Sequence, residues 1–203
     1  MKLHLGCSDD LKPGFLNVDR TENHVAERDG LYMQTDLNSP WPFEDSSVDF
    51  ILAQDVFEHI HNFRPGNLGK LHCMNEAHRV LKPGGILDMT VPHFILADGS
   101  VNPGAVADPT HCTWWTWDDQ FYFSEQFNSA RVDGTYGGAI EQGERYRLGP
   151  SYGITARFRF PQLRQLAKGT WVAEPNHSGL VWKVREDAYG ARTKLLGRIE
   201  AVK

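Results

Sequence analysis

At 203 residues, 40% hydrophobic and 23% charged, the chain is long enough to bury a core unaided and too apolar for a disordered polypeptide. Cys7, Cys73 and Cys112 form no CxxC pair, no apolar run reaches the length of a membrane span, and the first residues lack a signal-type segment; a disulfide framework and a membrane partner are excluded, and a cytoplasmic setting is expected. The net charge of −5 is uneven: residues 1–130 hold 8 Lys and Arg against 19 Asp and Glu, and residues 131–203 hold 13 against 7. A basic C-terminal third is read first as a solvated surface, because no nucleic-acid motif accompanies it.

In chain order, Leu3–Leu5 reads as a first strand stopping at Gly6, and Phe15–Val18 as a second ending at Asp19. Lys12-Pro13-Gly14 interrupts the segment between them, so the first helix is short or missing. Leu31–Thr35 is a third strand ending at Asp36, and Asp49–Ala53 a fourth ending near Gln54 and Asp55. A helix is expected from about Val56, and another from about Asn67 to Leu81, stopped by Lys82-Pro83-Gly84-Gly85. Ile86–Val91 is a fifth strand, closed by Pro92. Residues 93–150 are rich in turn signals, with a helix expected around Trp117–Phe127 and an irregular Gly-rich stretch over 128–150. Ile154–Phe160 alternates as a half-buried strand, and 178–186 and 195–202 read as two further strands. The alternation predicts one α/β domain over 1–203: a Rossmann-like, doubly wound sheet, mostly parallel, with an antiparallel C-terminal edge hairpin and a loop-rich insertion around 93–150.

Open parallel sheets bind ligands beyond the C-terminal ends of their strands, so the residues at the strand stops carry the functional signal. Gly6 lets backbone approach a ligand closely, but the G-x-G-x-x-G dinucleotide pattern is absent. Asp19 follows Gly6 by 13 residues, earlier than a dinucleotide ribose acid, which argues against a nicotinamide-dependent oxidoreductase. A carboxylate at that strand end can accept from two ribose hydroxyls. Either Asp19 or Asp36 alone reads as a loop cap; the two in phase with Gly6 read as a nucleoside site.

The stretch LHLGCSDDLKPGFLNVD resembles the first motif of the class I S-adenosylmethionine-dependent methyltransferases, in the type 11-like branch with a reduced first helix. DLNSPWPFEDSSVDFILAQDVFEHI and MNEAHRVLKPGGILDMTVP are similar to two later motifs of that family, so the likeness spans most of residues 3–92. DPTHCTWWTWDDQF, ITARFRF and RIEAVK resemble phage-type members more weakly. The resemblance implies S-adenosylmethionine as cofactor. Leu5, Gly6 and Cys7 would line its methionine and ribose side, and Asp19 would hold the ribose hydroxyls. Asp36 and Leu37 would flank the adenine, with Gln54 and Asp55 near the methionine moiety. Ser8 stands where the family usually has glycine. Many relatives lid the cofactor with helices before the first strand; without such helices the resemblance implies an open site, weak binding, or cover by a second subunit in a homo-oligomer.

Asp55, Glu58 and His59 are spaced i, i+3, i+4, which puts them on one face of a helix beginning at the end of strand four. Two carboxylates and an imidazole suit Mg²⁺, Mn²⁺, Fe²⁺ or Zn²⁺. The arrangement is similar to the E-x-x-E-H motif of small-RNA 2′-O-methyltransferases and of the ubiquinone-pathway O-methyltransferase, and the likeness nominates His111 as a further ligand, with Asp55 in place of the usual first glutamate. The candidate metal set is therefore Asp55, Glu58, His59 and His111, and the candidate catalytic residues are His59 and His111. His59 can equally be a general base, and a Glu-His pair here can simply pack the helix onto the sheet. His93 and His111 flank the loop after strand five. Trp114, Trp115, Trp117, Phe121, Tyr122, Phe123 and Phe127 are expected to be mostly core, with one or two Trp exposed to substrate. The expected function is methyl transfer to an oxygen or nitrogen of a small molecule, sugar or modified nucleotide. Two alternatives are a nucleic-acid or polymer-glycan methyltransferase and a non-catalytic cofactor-binding module.

Overall fold

Four short, largely buried strands establish the frame: β1 (Lys2–Leu5), β2 (Leu16–Asp19), β3 (Tyr32–Gln34) and β4 (Val48–Gln54). The computed structural model describes residues 1–22, 31–61, 69–96, 98–124, 153–160, 163–167, 170–173, 179–186 and 193–203. β1 pairs in parallel with β2 on one side and β4 on the other, β2 pairs with β3, and β4 pairs with β5 (Leu81–Pro92), giving the parallel order β3-β2-β1-β4-β5. The strand order reverses between β1 and β4, and ligand crevices of open α/β sheets form at such a reversal.

No helix forms between β1 and β2; Asn17 and His4 fill its place with a polar knot. Buried Asn17 accepts from the Lys12 amide at 2.8 Å and donates to the Leu31 carbonyl at 3.1 Å, and His4 Nδ1 lies 3.1 Å from Asn17 Oδ1. A fully satisfied buried amide can hold a loop where a helix would otherwise pack.

The expected helix after β4 is instead a single 3₁₀ turn over Phe57–His59. The longer helix, α1 (Gly69–Val80), ends before the expected stop. Lys82-Pro83-Gly84-Gly85 lies inside β5 as an irregularity: Val48 pairs with Leu81, and pairing resumes at Phe50 with Ile86. Pro83 lacks an amide hydrogen and Gly84 is left-handed at φ 77°, so these residues bulge out of the ladder. Gly69 packs α1 against the turn after β4; a Cβ there would sit 1.9 Å from the Ile60 carbonyl oxygen.

Arg79 of α1 ties the helix to the loop before β4. Its Nη1 bonds the Phe43 carbonyl and Asp45, and its Nη2 bonds the Trp41 carbonyl and Glu76, all between 2.7 and 2.9 Å. Glu76 accepts in turn from the Trp41 amide at 2.7 Å. The E-x-x-R spacing in the sequence is thus a clamp between two segments rather than part of the site.

A single α-helical turn, α2 (Pro103–Val106), follows β5, and Trp117–Phe123 forms a 3₁₀ turn leading into α3 (Gln120–Phe123), shorter than the expected helix. The C-terminal part completes the sheet antiparallel. β10 (Thr193–Ala201) runs beside β5, with β9 (Val181–Glu186) along its first half and β6 (Phe158–Arg159) at its end. The edge is therefore shared by β9 and β6, with β10 inside it. β7 (Leu163–Ala167) and β8 (Thr170–Ala173) form a separate hairpin that the sequence pattern did not reveal. The result is an α/β fold with a mixed, mostly parallel eight-stranded sheet among the described residues. Among those residues no helix is long and apolar enough to cross a membrane. The expected irregular stretch 128–150 lies outside them.

Candidate functional site

At the reversal between β1 and β4, a cavity of about 660 Å³ opens beyond the strand ends. Its walls include Gly6, Asp19, Arg20, Asp36, Leu37 and Asp55. Gly6 has φ 63°, and a Cβ there would lie 2.3 Å from Val56 Cγ2, so only glycine fits this turn. The two aspartates at the strand ends are already engaged by their own loops. Asp19 accepts from the Ser8 amide at 2.9 Å, the Thr21 amide at 3.0 Å and the Thr21 hydroxyl at 2.7 Å. Burial alone would raise the Asp19 carboxyl, but the bonds from Thr21, Ser8 and Arg20 outweigh it and hold it below the usual range. Asp36 is held down by the amide and side chain of Asn38, at 3.0 and 2.8 Å. Both carboxylates are ionised, fixed in direction, and retain lone pairs for a ligand.

A second cavity of about 340 Å³ adjoins the first, and Asp55 and His59 line both. Glu58 and His111 line only the second. His111 reaches Glu58 and His59 because the segment after it docks on the 3₁₀ turn. The Cys112 and Thr113 amides donate to the Glu58 carbonyl at 2.8 and 3.2 Å, and the Thr113 hydroxyl to the Phe57 carbonyl at 2.9 Å. The rings of His59 and His111 meet edge to face, centroids 4.7 Å apart. One ligand-type atom each from Glu58, His59 and His111 lies within 4.8 Å of the others.

Glu58 stands out among the described residues, although Asp55 Oδ1 and Gln120 Oε1 are also buried without a partner. It is buried, and neither carboxylate oxygen has a hydrogen-bond partner. Burial, reinforced by the charge of Asp55, pushes its carboxyl up to about 8. Burial and the neighbouring His111 push the His59 imidazole down, which keeps it neutral near pH 7. His111 Nδ1 lies 3.1 Å from the Ala105 carbonyl oxygen, which can only accept, so Nδ1 carries the proton and in the neutral ring Nε2 has the lone pair. Unpartnered carboxyl oxygens beside imidazole lone pairs make a coordinating or proton-accepting surface.

Asp55 is placed differently from the expected ligand set. Its backbone is left-handed at φ 54°, so it precedes the 3₁₀ turn instead of sharing a helix face with Glu58 and His59. Its carboxylate pairs with Lys194 of β10, opposite Pro92 in the sheet, and it stands outside the three-residue cluster. Lys194 is the residue that sequence reasoning had no means to find, since a strand 139 positions away carries it.

Of the other expected cofactor residues, Gly6, Asp19, Asp36, Leu37 and Asp55 line the larger cavity, whereas Leu5, Cys7 and Gln54 do not. Leu5 is core, and Cys7 is buried against Tyr32, its thiol pushed up to about 11 by burial and by Asp19. His93 is structural: Nδ1 bonds the Ile95 carbonyl, and Nε2 accepts from the Trp117 amide at 3.0 Å. Trp115 and Phe123 are core, while Trp114 is 54% exposed and lines neither cavity. Phe127 lies outside the described residues.

Residues 8–88 match a sequence profile described as a methyltransferase domain. No curated protein matches the chain. Among solved structures, a Haloferax volcanii methyltransferase in complex with the Trm112 methyltransferase activator is similar over 100% of this chain and 82% of its own, at 14% identity and a TM-score of 0.51. The YcgJ protein of Bacillus subtilis is similar over 100% and 92%, at 14% identity and a TM-score of 0.50. At such identities the likeness speaks to the fold. That profile spans 81 of the 203 residues, and Asp19, Asp36, Leu37 and Asp55 of the larger cavity lie within the matched stretch, so the likeness to a methyltransferase domain falls on the residues that line this cavity.

Proposed function

We propose that the chain transfers a methyl group from S-adenosylmethionine, held in the larger cavity, to an oxygen or nitrogen of a small molecule, sugar or modified nucleotide held in the smaller one. One observation carries this reading: the two cavities abut across Asp55 and His59, and the smaller holds the Glu58–His59–His111 cluster. Asp19 would take the ribose hydroxyls, Asp36 and Leu37 the adenine, and Asp55 the methionine end. The methyl group would then face His59. About 340 Å³ suits a small acceptor or one end of a larger one.

The cluster favours oxygen as the accepting atom. Methyl transfer depends mainly on positioning, and a hydroxyl nucleophile needs its proton removed. Glu58, His59 and His111 would hold a divalent cation, because two imidazole nitrogens and a carboxylate form a donor set that such ions take. The orphaned oxygens of buried Glu58 fit that assignment. When bound, a divalent cation lowers the pKa of a coordinated hydroxyl and orients its oxygen. The chain's own contribution is to fix the cluster beside the cofactor cavity and to offer His59 as the nearest proton acceptor.

Calorimetric titration with S-adenosylmethionine, then with Mn²⁺ before and after chelation, tests the reading. Saturable binding of both, with Mn²⁺ binding lost in Glu58→Ala while cofactor binding persists, is expected. Cofactor binding without Mn²⁺ binding would leave the cluster as acid–base groups only, and absence of cofactor binding would contradict the whole reading.

A further inference from the structure

His59 stands where the two cavities meet, and the nitrogen that carries its proton decides what it can do there. Its Nδ1 lies 2.9 Å from the Thr110 hydroxyl oxygen. That hydroxyl has a single proton, which goes to Asp108 Oδ1 at 2.6 Å. Asp108 is exposed and ionised, held below the usual carboxylate range by the Thr110 hydroxyl and amide, so it can only accept. The Thr110 amide bonds the same oxygen at 2.8 Å and closes the turn. With its proton committed, the Thr110 oxygen must accept from His59. Nδ1 is therefore the protonated nitrogen, and Nε2 keeps the lone pair.

We propose that Asp108 and Thr110 are positioning residues that fix His59 in its Nδ1–H form, so that Nε2 presents its lone pair where cofactor and acceptor meet. The inference rests on the reading of His59 as the residue facing the acceptor. It serves that residue in either role. As a metal ligand, His59 needs a free Nε2 lone pair; as a base, it takes the acceptor proton on Nε2 while Nδ1–H goes on donating to Thr110. His111 reaches the same form by another route, through the Ala105 backbone carbonyl. Asp108 also lies 3.8 Å from His111 Nε2, so His111 serves as a built-in control for Thr110→Val, which keeps Asp108, and not for Asp108→Ala.

The test is long-range ¹H–¹⁵N correlation NMR of the intact, chelator-treated protein labelled at histidine nitrogens. Wild type should show protonated Nδ1 on both His59 and His111. Thr110→Val should move His59 toward the Nε2–H form that free imidazole side chains favour in water, with His111 unchanged, and Thr110→Ser should restore it. Asp108→Ala, which keeps the hydroxyl but removes its acceptor, should shift His59 partway and covers the case of a misfolded valine variant. Mn²⁺ affinity measured on the same proteins should fall by roughly 10- to 100-fold in Thr110→Val. Nδ1–H retained on His59 in Thr110→Val, or Nε2–H already present in wild type, overturns the proposal. A tautomer shift without Mn²⁺ binding in any variant, wild type included, supports the relay and removes the metal reading alone.

Discussion

Asp19 and Asp36 in the larger cavity and Glu58 in the smaller one are held in opposite ways. In the larger cavity, Asp19 and Asp36 are satisfied by amides and side chains of Ser8, Thr21 and Asn38, and both are held ionised. In the smaller cavity, Glu58 is buried with neither oxygen bonded, and its carboxyl is pushed up to about 8. The first arrangement is preformed and stable without a ligand. The second is costly until something occupies it, and strongly perturbed, unpartnered groups of this kind are concentrated at functional sites.

The sharpest way to break this contrast is His111→Ala. His111 lines only the smaller cavity, so turnover should fall by roughly 10²- to 10⁴-fold while S-adenosylmethionine affinity holds. Parallel kinetics and calorimetry check this, and a matching loss of cofactor affinity would show that the two cavities are not separate subsites.

Glu58→Gln should sharpen the contrast through stability. Because the folded carboxyl lies near 8 and its ordinary value is 4.5, the folded state keeps a proton that the unfolded state releases. That contribution is complete below pH 4.5 and is lost as pH rises through 8. In metal-free protein the variant should therefore gain on the order of a few kcal/mol over wild type above pH 8 and almost nothing below pH 4.5. Urea unfolding at both extremes reads it, and an equal difference at the two would place the cost elsewhere than in charging Glu58.

Asp19→Ala should weaken S-adenosylmethionine by roughly 10- to 100-fold, the cost of removing a charged acceptor, with little change in kcat at saturation. Asp36→Ala, which takes away one acceptor at the more open adenine end, should cost less, roughly 3- to 10-fold. Titration calorimetry ranks the two. An effect of Asp36→Ala exceeding that of Asp19→Ala would reverse the assignment of ribose and adenine ends.

Much of the lining of the larger cavity is legible in the sequence because its signals are local. Asp19 ends β2, and Gly6 and Asp36 lie within two residues of the ends of β1 and β3, where chain order alone points to a ligand. The parallel sheet order followed from the same alternation. The cluster in the smaller cavity is legible in its members but not in its geometry. A helix-face argument grouped Asp55 with Glu58 and His59, but a left-handed residue breaks that face and turns Asp55 to Lys194. Lys194 pairs across 139 positions through an antiparallel strand, a contact no local pattern encodes. Asp108 and Thr110 look like an ordinary turn in sequence, and their bearing on His59 exists only because the 111–113 segment docks on the turn after β4. Lys82–Gly85 follows the end of α1 at Val80 and also bulges the ladder of β5, because proline and glycine mark both a helix end and a break in a ladder.

A crystal structure of the protein with S-adenosylhomocysteine and Mn²⁺, with anomalous scattering collected at the manganese edge, tests the central claim most directly. The account predicts the nucleoside between Asp19 and Asp36, the sulfur beside Asp55 and His59 facing the smaller cavity, and the anomalous peak among Glu58, His59 and His111. A sulfur turned away from that cavity would contradict the account, whatever the metal does.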